Sequence, residues 1–128
     1  MRRYASLRGR REFALVLRRG RAWQAKYLVV TSFAPPRSNK VERSTARVGI
    51  VITKKVGTAV ERNRLRRRCK AILDQTPIGD SSIWYVVQFR PAAAQLSYQN
   101  LQEQLEHALA GSVRAAGGAR TRREIRSA

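Results

Sequence analysis

Apolar positions change their spacing several times along this chain, and each change marks an element. Phe13, Val16 and Leu17 recur at i, i+3 and i+4, the spacing of one helical face, and Arg18-Arg19-Gly20 supplies basic residues and a stop. The ten residues before that helix are polar and basic and read as irregular backbone. Tyr27–Phe33 (YLVVTSF) is β-branched and aromatic, which predicts a strand ended by Pro35-Pro36. The polar stretch to Ser44 reads as a loop, with room for a short further strand near residues 41–46. Arg47–Thr53 (RVGIVIT) is a second strand, with Val48, Ile50 and Ile52 on one face and Gly49, Val51 and Thr53 on the other. Lys54–Gly57 makes a turn, Thr58 is placed to cap, and a helix follows from Ala59 to about Leu73. Leu65, Cys69, Ile72 and Leu73 form its apolar stripe. Ile83–Phe89 (IWYVVQF) is apolar on both faces, as a strand covered on both sides must be. Ser97 caps a last helix carrying Tyr98, Leu101, Leu105, Ala108 and Leu109, expected to end near Gly111.

The order α-β-β-(β)-α-β-α describes one small α/β sandwich, helices on a small sheet. A single domain over residues 11–112 is expected, with a basic segment at 1–10 before it and a basic tail at 113–128 after it, expected to be disordered. Residues 1–21 carry folded spacing and do not read as a targeting segment, and no stretch approaches the roughly 18–20 apolar residues of a membrane span.

Charge narrows the function. The chain holds 27 Lys and Arg against 8 Asp and Glu, a net charge of +19 over 128 residues. Nearly all of the excess lies in the first 70 residues, which carry 21 basic side chains and only Glu12, Glu42 and Glu61 as acids. Such self-repulsion opposes compaction unless a polyanion balances it. Twenty-two of the cations are Arg, whose planar fork suits phosphate. With so few acids there is no carboxylate pair for general acid–base work. One cysteine, Cys69, excludes an intrachain disulfide, and with the lone His107 it cannot build a Cys/His zinc site. A reducing, cytoplasmic location fits that cysteine usage.

The densest cluster is Arg62-Asn63-Arg64-Leu65-Arg66-Arg67-Arg68-Cys69-Lys70, six cations in nine residues. Asn63, Arg66, Arg67 and Lys70 fall on one helical stripe, and Arg64 and Arg68 flank it one turn apart. Like charges at this spacing destabilise an isolated helix by a few tenths of a kcal/mol per pair, at roughly 0.2–0.5 each. Glu61 alone precedes them, so a partner's phosphates are the natural neutraliser. A DNA-binding regulator would need a helix-turn-helix pair, and a strand and turn precede this helix instead. A protein nuclease working alone lacks its catalytic side chains.

Arg47-Val-Gly-Ile-Val-Ile-Thr-Lys54-Lys55-Val-Gly57-Thr-Ala59-Val60-Glu-Arg62-Asn63-Arg64-Leu-Arg66-Arg67 resembles the signature of the protein subunit of bacterial ribonuclease P at nearly every fixed position. Leu7 and Arg10–Gly20 resemble that family's first helix, and Trp84–Pro91 with Leu96-Ser97-Tyr98 its last strand and helix. The resemblance implies a sandwich like the second domain of ribosomal protein S5, with a left-handed β-α-β crossover against the usual hand. It implies a partner, the catalytic RNA of ribonuclease P, and a substrate, precursor tRNA, whose 5′ leader the holoenzyme removes. The chemistry it implies is the RNA's, using Mg2+ to activate water, with no cofactor on protein side chains, no small-molecule substrate and no membrane partner. Lys54, Lys55, Arg62, Asn63, Arg64, Arg66, Arg67, Arg68 and Lys70 would meet RNA, and Phe13, Leu17, Val30, Val51 and Thr53 would line a cleft for the single-stranded leader. A ribosomal or other structural RNA-binding protein without a processing role is the alternative.

Overall fold

The computed structural model describes residues 4–7, 9–35, 46–76 and 83–116, the last four by backbone only. Its elements run β1 Ala5–Ser6, α1 Gly9–Arg19, β2 Arg21–Gln24, β3 Leu28–Phe33, β4 Arg47–Val51, α2 Ala59–Gln75, β5 Trp84–Phe89 and α3 Tyr98–Ala116. The five strands form one mixed sheet in the order β1-β4-β5-β3-β2. β1 and β5 run parallel to β4, while β3 is antiparallel to both β5 and β2. The apolar run at Trp84–Phe89 is therefore the middle strand, as its two apolar faces require.

Two layers of side chains cover the sheet. On one face Val48, Tyr85, Val87, Leu28 and Val30 pack under α2, through Leu65, Cys69, Ile72 and Leu73, and under α3, through Leu101, Leu105, Ala108 and Leu109. The stripe expected on α2 is the one that is buried. On the other face α1 lies across the strands, with Val16 fully buried on Val86 and Leu7, and with Phe13, Phe33, Val51 and Trp84 around them.

Local chemistry explains the element ends. The Thr58 hydroxyl accepts the Glu61 N–H at 3.2 Å, and the Glu61 carboxylate accepts the Thr58 N–H at 2.9 Å, so α2 opens with a complete capping box. Ser97 accepts from the Asn100 N–H at 3.1 Å at the start of α3. The turn after β4 is a short 3-10 segment, Lys54–Val56, and another, Pro91–Gln95, follows β5.

Two expectations need correction, and two stretches without an assigned element gain one. Residues 5 and 6 are not irregular but form the edge strand β1, with Tyr4 and Leu7 buried beside it. Arg21–Gln24 is the outer strand β2, hairpinned onto β3. The chain between β5 and α3 holds the Pro91–Gln95 turn. α3 does not stop near Gly111 but runs to Ala116, because Gly111 lies against the ring of Trp23 where any side chain would collide. That glycine serves close packing and not a C-cap. The further strand near 41–46 lies, apart from Ala46, outside the described residues, as do residues 79–82, whose Gly-Asp-Ser-Ser reads as a turn, and the tail from 117.

Candidate nucleic-acid interface

The cations of α2 take most of the middle of its outer surface, between Arg62 and Lys70. Arg62 is half-buried and its Nε donates to the Gly57 carbonyl at 3.2 Å. Arg66 is half-buried as well, and its guanidinium reaches the Ile50 carbonyl of β4 at 3.5 Å. Asn63, Arg64, Arg67 and Lys70 are exposed, and no ion pair or side-chain hydrogen bond engages them among the described residues. Val60, 68 % exposed, stands at the start of this ridge. Asn63, Arg66, Arg67, Lys70 and Val60 line an open hollow of about 390 Å³. Lys54 and Lys55 sit in the exposed 3-10 turn that precedes α2.

A second surface follows from strand register. On the α1 face, directly opposed residues form rows across the sheet. Arg47, Trp84 and Phe33 make the first row. Gly49, Val86, Thr31 and Ala22 make the second, and Val51, Gln88, Val29 and Gln24 the third. α1 covers the first two. Its Glu12 binds Arg47 at 2.6 Å, and Arg47 in turn stacks over Trp84 at 5.1 Å, which pins one flank of the helix to the first row. Helical phase turns Phe13 and Leu17 to the flank of α1 away from Glu12. The tip of the Phe13 ring lies against Gly49, where a side chain would strike it. Leu17 remains 45 % exposed. The third row is half-open along Val51, Gln88 and Val29.

The two surfaces meet. A smaller hollow of about 180 Å³ at the free edge of β4 is lined by Phe13, Leu7 and Gly49 together with Arg66 and Lys70. The same two cations therefore border both the ridge hollow and the site of the aromatic ring.

Of the five residues expected in the cleft, Phe13 and Val51 pack on one cluster with Val16 and Val86, Leu17 lies exposed on α1, and Thr53 follows β4 beyond the third row, also exposed. Val30 does not join them. It opposes Val87 and Trp23 on the other face, wholly buried in the main core. Its neighbour Val29 holds the open position, because a strand turns successive side chains to opposite faces. Sequence reasoning missed Gln88 and the groups at the far end of the row. The signal for Gln88 was present: it is the one polar residue in the middle strand, and a polar side chain there marks the face left uncovered. Arg90 follows on the same face, held by the Ala25 carbonyl and the Gln24 side chain, both at 3.1 Å.

Among the described residues no group of three or more His, Cys, Asp or Glu is placed to hold a metal ion. Burial pushes the Cys69 thiol up to about 12, outweighing the opposite pull of Arg66 and Lys70, so its thiolate is not at hand as a nucleophile. Among the described residues no helix is long and apolar enough to cross a membrane.

A small α/β sandwich with a cationic helix face beside a half-open sheet face has the features of a protein that binds nucleic-acid backbone. The family model for ribonuclease P matches residues 1–112. The ribonuclease P protein component of Herpetosiphon aurantiacus is 39% identical over 113 residues, covering 84% of this chain and 87% of its own length. That of Clavibacter michiganensis is 34% identical over 107 residues, covering 80% and 88%. The structure of the ribonuclease P protein from Thermotoga maritima superposes with a TM-score of 0.65 at 27% identity, covering 78% of this chain and 90% of that one. The chain belongs to the ribonuclease P protein family. It is a protein component of that ribonucleoprotein enzyme, whose partners are the catalytic RNA and precursor tRNA.

Proposed function

We propose that the α2 ridge rests on the catalytic RNA while the channel between α1 and the third sheet row holds the 5′ leader of precursor tRNA. The observation that carries this reading is the sharing of Arg66 and Lys70 between the ridge hollow and the hollow beside Phe13. A strand leaving the RNA surface meets phosphate-binding cations first and an aromatic wall next. Lys54, Lys55, Arg62, Asn63, Arg64, Arg67 and Arg68 supply the remaining contacts to the RNA backbone. Phosphate contacts of this kind position without reading sequence. Phe13, Leu17, Val51 and Val29 offer apolar surface to bases of any identity, and Gln88, Thr53 and Arg90 offer polar contacts along the same channel.

Hydrolysis belongs to the RNA, which uses Mg2+ to activate water. The protein's cations replace counterions at the phosphates where leader and RNA crowd together, and so lower the magnesium needed for a productive complex. The working domain spans the β1 segment through the end of α3 at Ala116, the basic tail from 117 adds non-specific attraction, and the protein works in the cytoplasm. Reconstitution tests the reading. With the cognate catalytic RNA at low magnesium, added protein should raise 5′ cleavage of a precursor tRNA at least about tenfold, the worth of one ordinary charged contact. No stimulation would leave only a structural RNA-binding role.

A further inference from the structure

Val16 is the one fully buried residue of α1, and the helix rests on the sheet there. At 100° per residue, Glu12 lies about 40° to one side of Val16 and Phe13 about 60° to the other. On the Glu12 side, Nη1 of Arg47 donates to the carboxylate at 2.6 Å, and the same guanidinium lies 5.1 Å over the Trp84 ring. Phe33 packs edge-on against that indole at 6.2 Å. On the other side, the tip of the Phe13 ring meets Gly49, two residues beyond Arg47 on β4. The far end of the helix has its own anchor. The Gly20 N–H donates to the Val16 carbonyl at 2.7 Å, and Gly20 lies against the Ser32 carbonyl, where any side chain would collide.

Glu12 is the only acid of α1, set among Arg10, Arg11, Arg18 and Arg19. An anion on this surface repels phosphates, so on charge alone its removal should tighten the grip on RNA. Neither Glu12 nor Arg47 lines the hollow beside Phe13. Their side chains are only 19 % and 30 % exposed, so salt screens the pair weakly, and the stacked guanidinium cannot swing freely. A stiff contact on one side of Val16 resists rolling of α1 about its axis. Such a roll would lift the Phe13 ring from Gly49 or press it deeper. We infer that Glu12 and Arg47 are positioning residues for leader binding: they fix the roll of α1 and so the depth at which Phe13 presents its ring to a base. A binding group works only when its neighbours lock its geometry. This inference rests on the proposed placement of the leader beside Phe13.

The test uses full-length protein in the holoenzyme and reads affinity for leader-bearing against leaderless tRNA. Glu12→Ala and Arg47→Ala should each cut the leader preference roughly 5-fold, the low end for one stacked base, and leave leaderless affinity unchanged. Glu12→Ala keeps a strong helix former, so the fold survives even if Arg47→Ala unfolds. Glu12→Gln retains a carbonyl for Arg47 and should recover part of the preference. In a Phe13→Ala background, Glu12→Ala should change the preference by less than about 2-fold, because residues that act through one ring are not additive. Were Arg47 itself a leader contact, Glu12→Ala would free its guanidinium and raise the preference. That rise, a full 5-fold loss persisting without the Phe13 ring, or an equal loss on leaderless tRNA overturns the inference. If Phe13→Ala alone leaves the preference intact, the leader placement fails first, and the inference with it.

Discussion

Replacing Arg66 and Arg67 together with Ala is expected to weaken binding of the catalytic RNA roughly 50-fold at 0.1 M salt and to flatten the salt dependence by about 2 in log–log slope. The size follows from counterion release: each phosphate neutralised contributes about 0.9 to the slope, and tenfold dilution of salt from 1 M to 0.1 M turns that into nearly a factor of ten per contact. The fold should survive. Arg67 is exposed, and Arg66 gives up only a 3.5 Å contact to the Ile50 carbonyl. Relief of like-charge repulsion along α2 works in the other direction, toward greater helix stability. Filter binding over a salt series, with thermal melting of the free protein, checks both halves. Lost affinity with an unchanged slope would point to a conformational effect instead of lost phosphate contacts.

The second large effect is at Phe13. Phe13→Ala should cut the preference for leader-bearing over leaderless tRNA by roughly 5- to 150-fold, the value of one base stacked at about 1–3 kcal/mol. The ring has a structural task as well, since it covers Gly49 beside Leu7 and Val86. Truncation of a half-buried ring therefore also costs some stability, less than the roughly 3–5 kcal/mol of a fully buried one. Phe13→Leu separates the tasks by retaining apolar bulk without a stacking face. The expected result is a near-normal melting temperature with the leader preference still lost. Equal losses on leader-bearing and leaderless RNA would assign Phe13 to packing alone.

Much of this architecture was legible in the residues because several signals agreed. On α2, the apolar spacing of Leu65, Cys69, Ile72 and Leu73 and the Thr58–Glu61 cap all specify the same helix. The middle strand announced itself by apolar residues on both faces. What escaped was what depends on neighbours. β1 is two residues long and exists because β4 offers it an edge. Arg21–Gln24 is mostly polar and becomes a strand through its hairpin with β3. Gly111 carries the ordinary mark of a helix end, and only the presence of Trp23 reveals that the gap is filled. The site divided the same way. The ridge could be read from six cations in nine residues. The channel floor could not, because Val29 and Val30 are chemically identical and only register against Gln88 and Val87 decides which one faces outward.

The most direct test maps both surfaces in one particle. Cys69 is buried and protonated, so a cysteine introduced at an exposed position can carry an iron chelate alone. Asn63→Cys places it on the ridge and Leu17→Cys in the channel. In the holoenzyme with precursor tRNA, radicals from position 63 should cut the catalytic RNA and those from position 17 should cut the 5′ leader. Cuts from position 63 that miss the catalytic RNA, or from position 17 that miss the leader, would contradict the account.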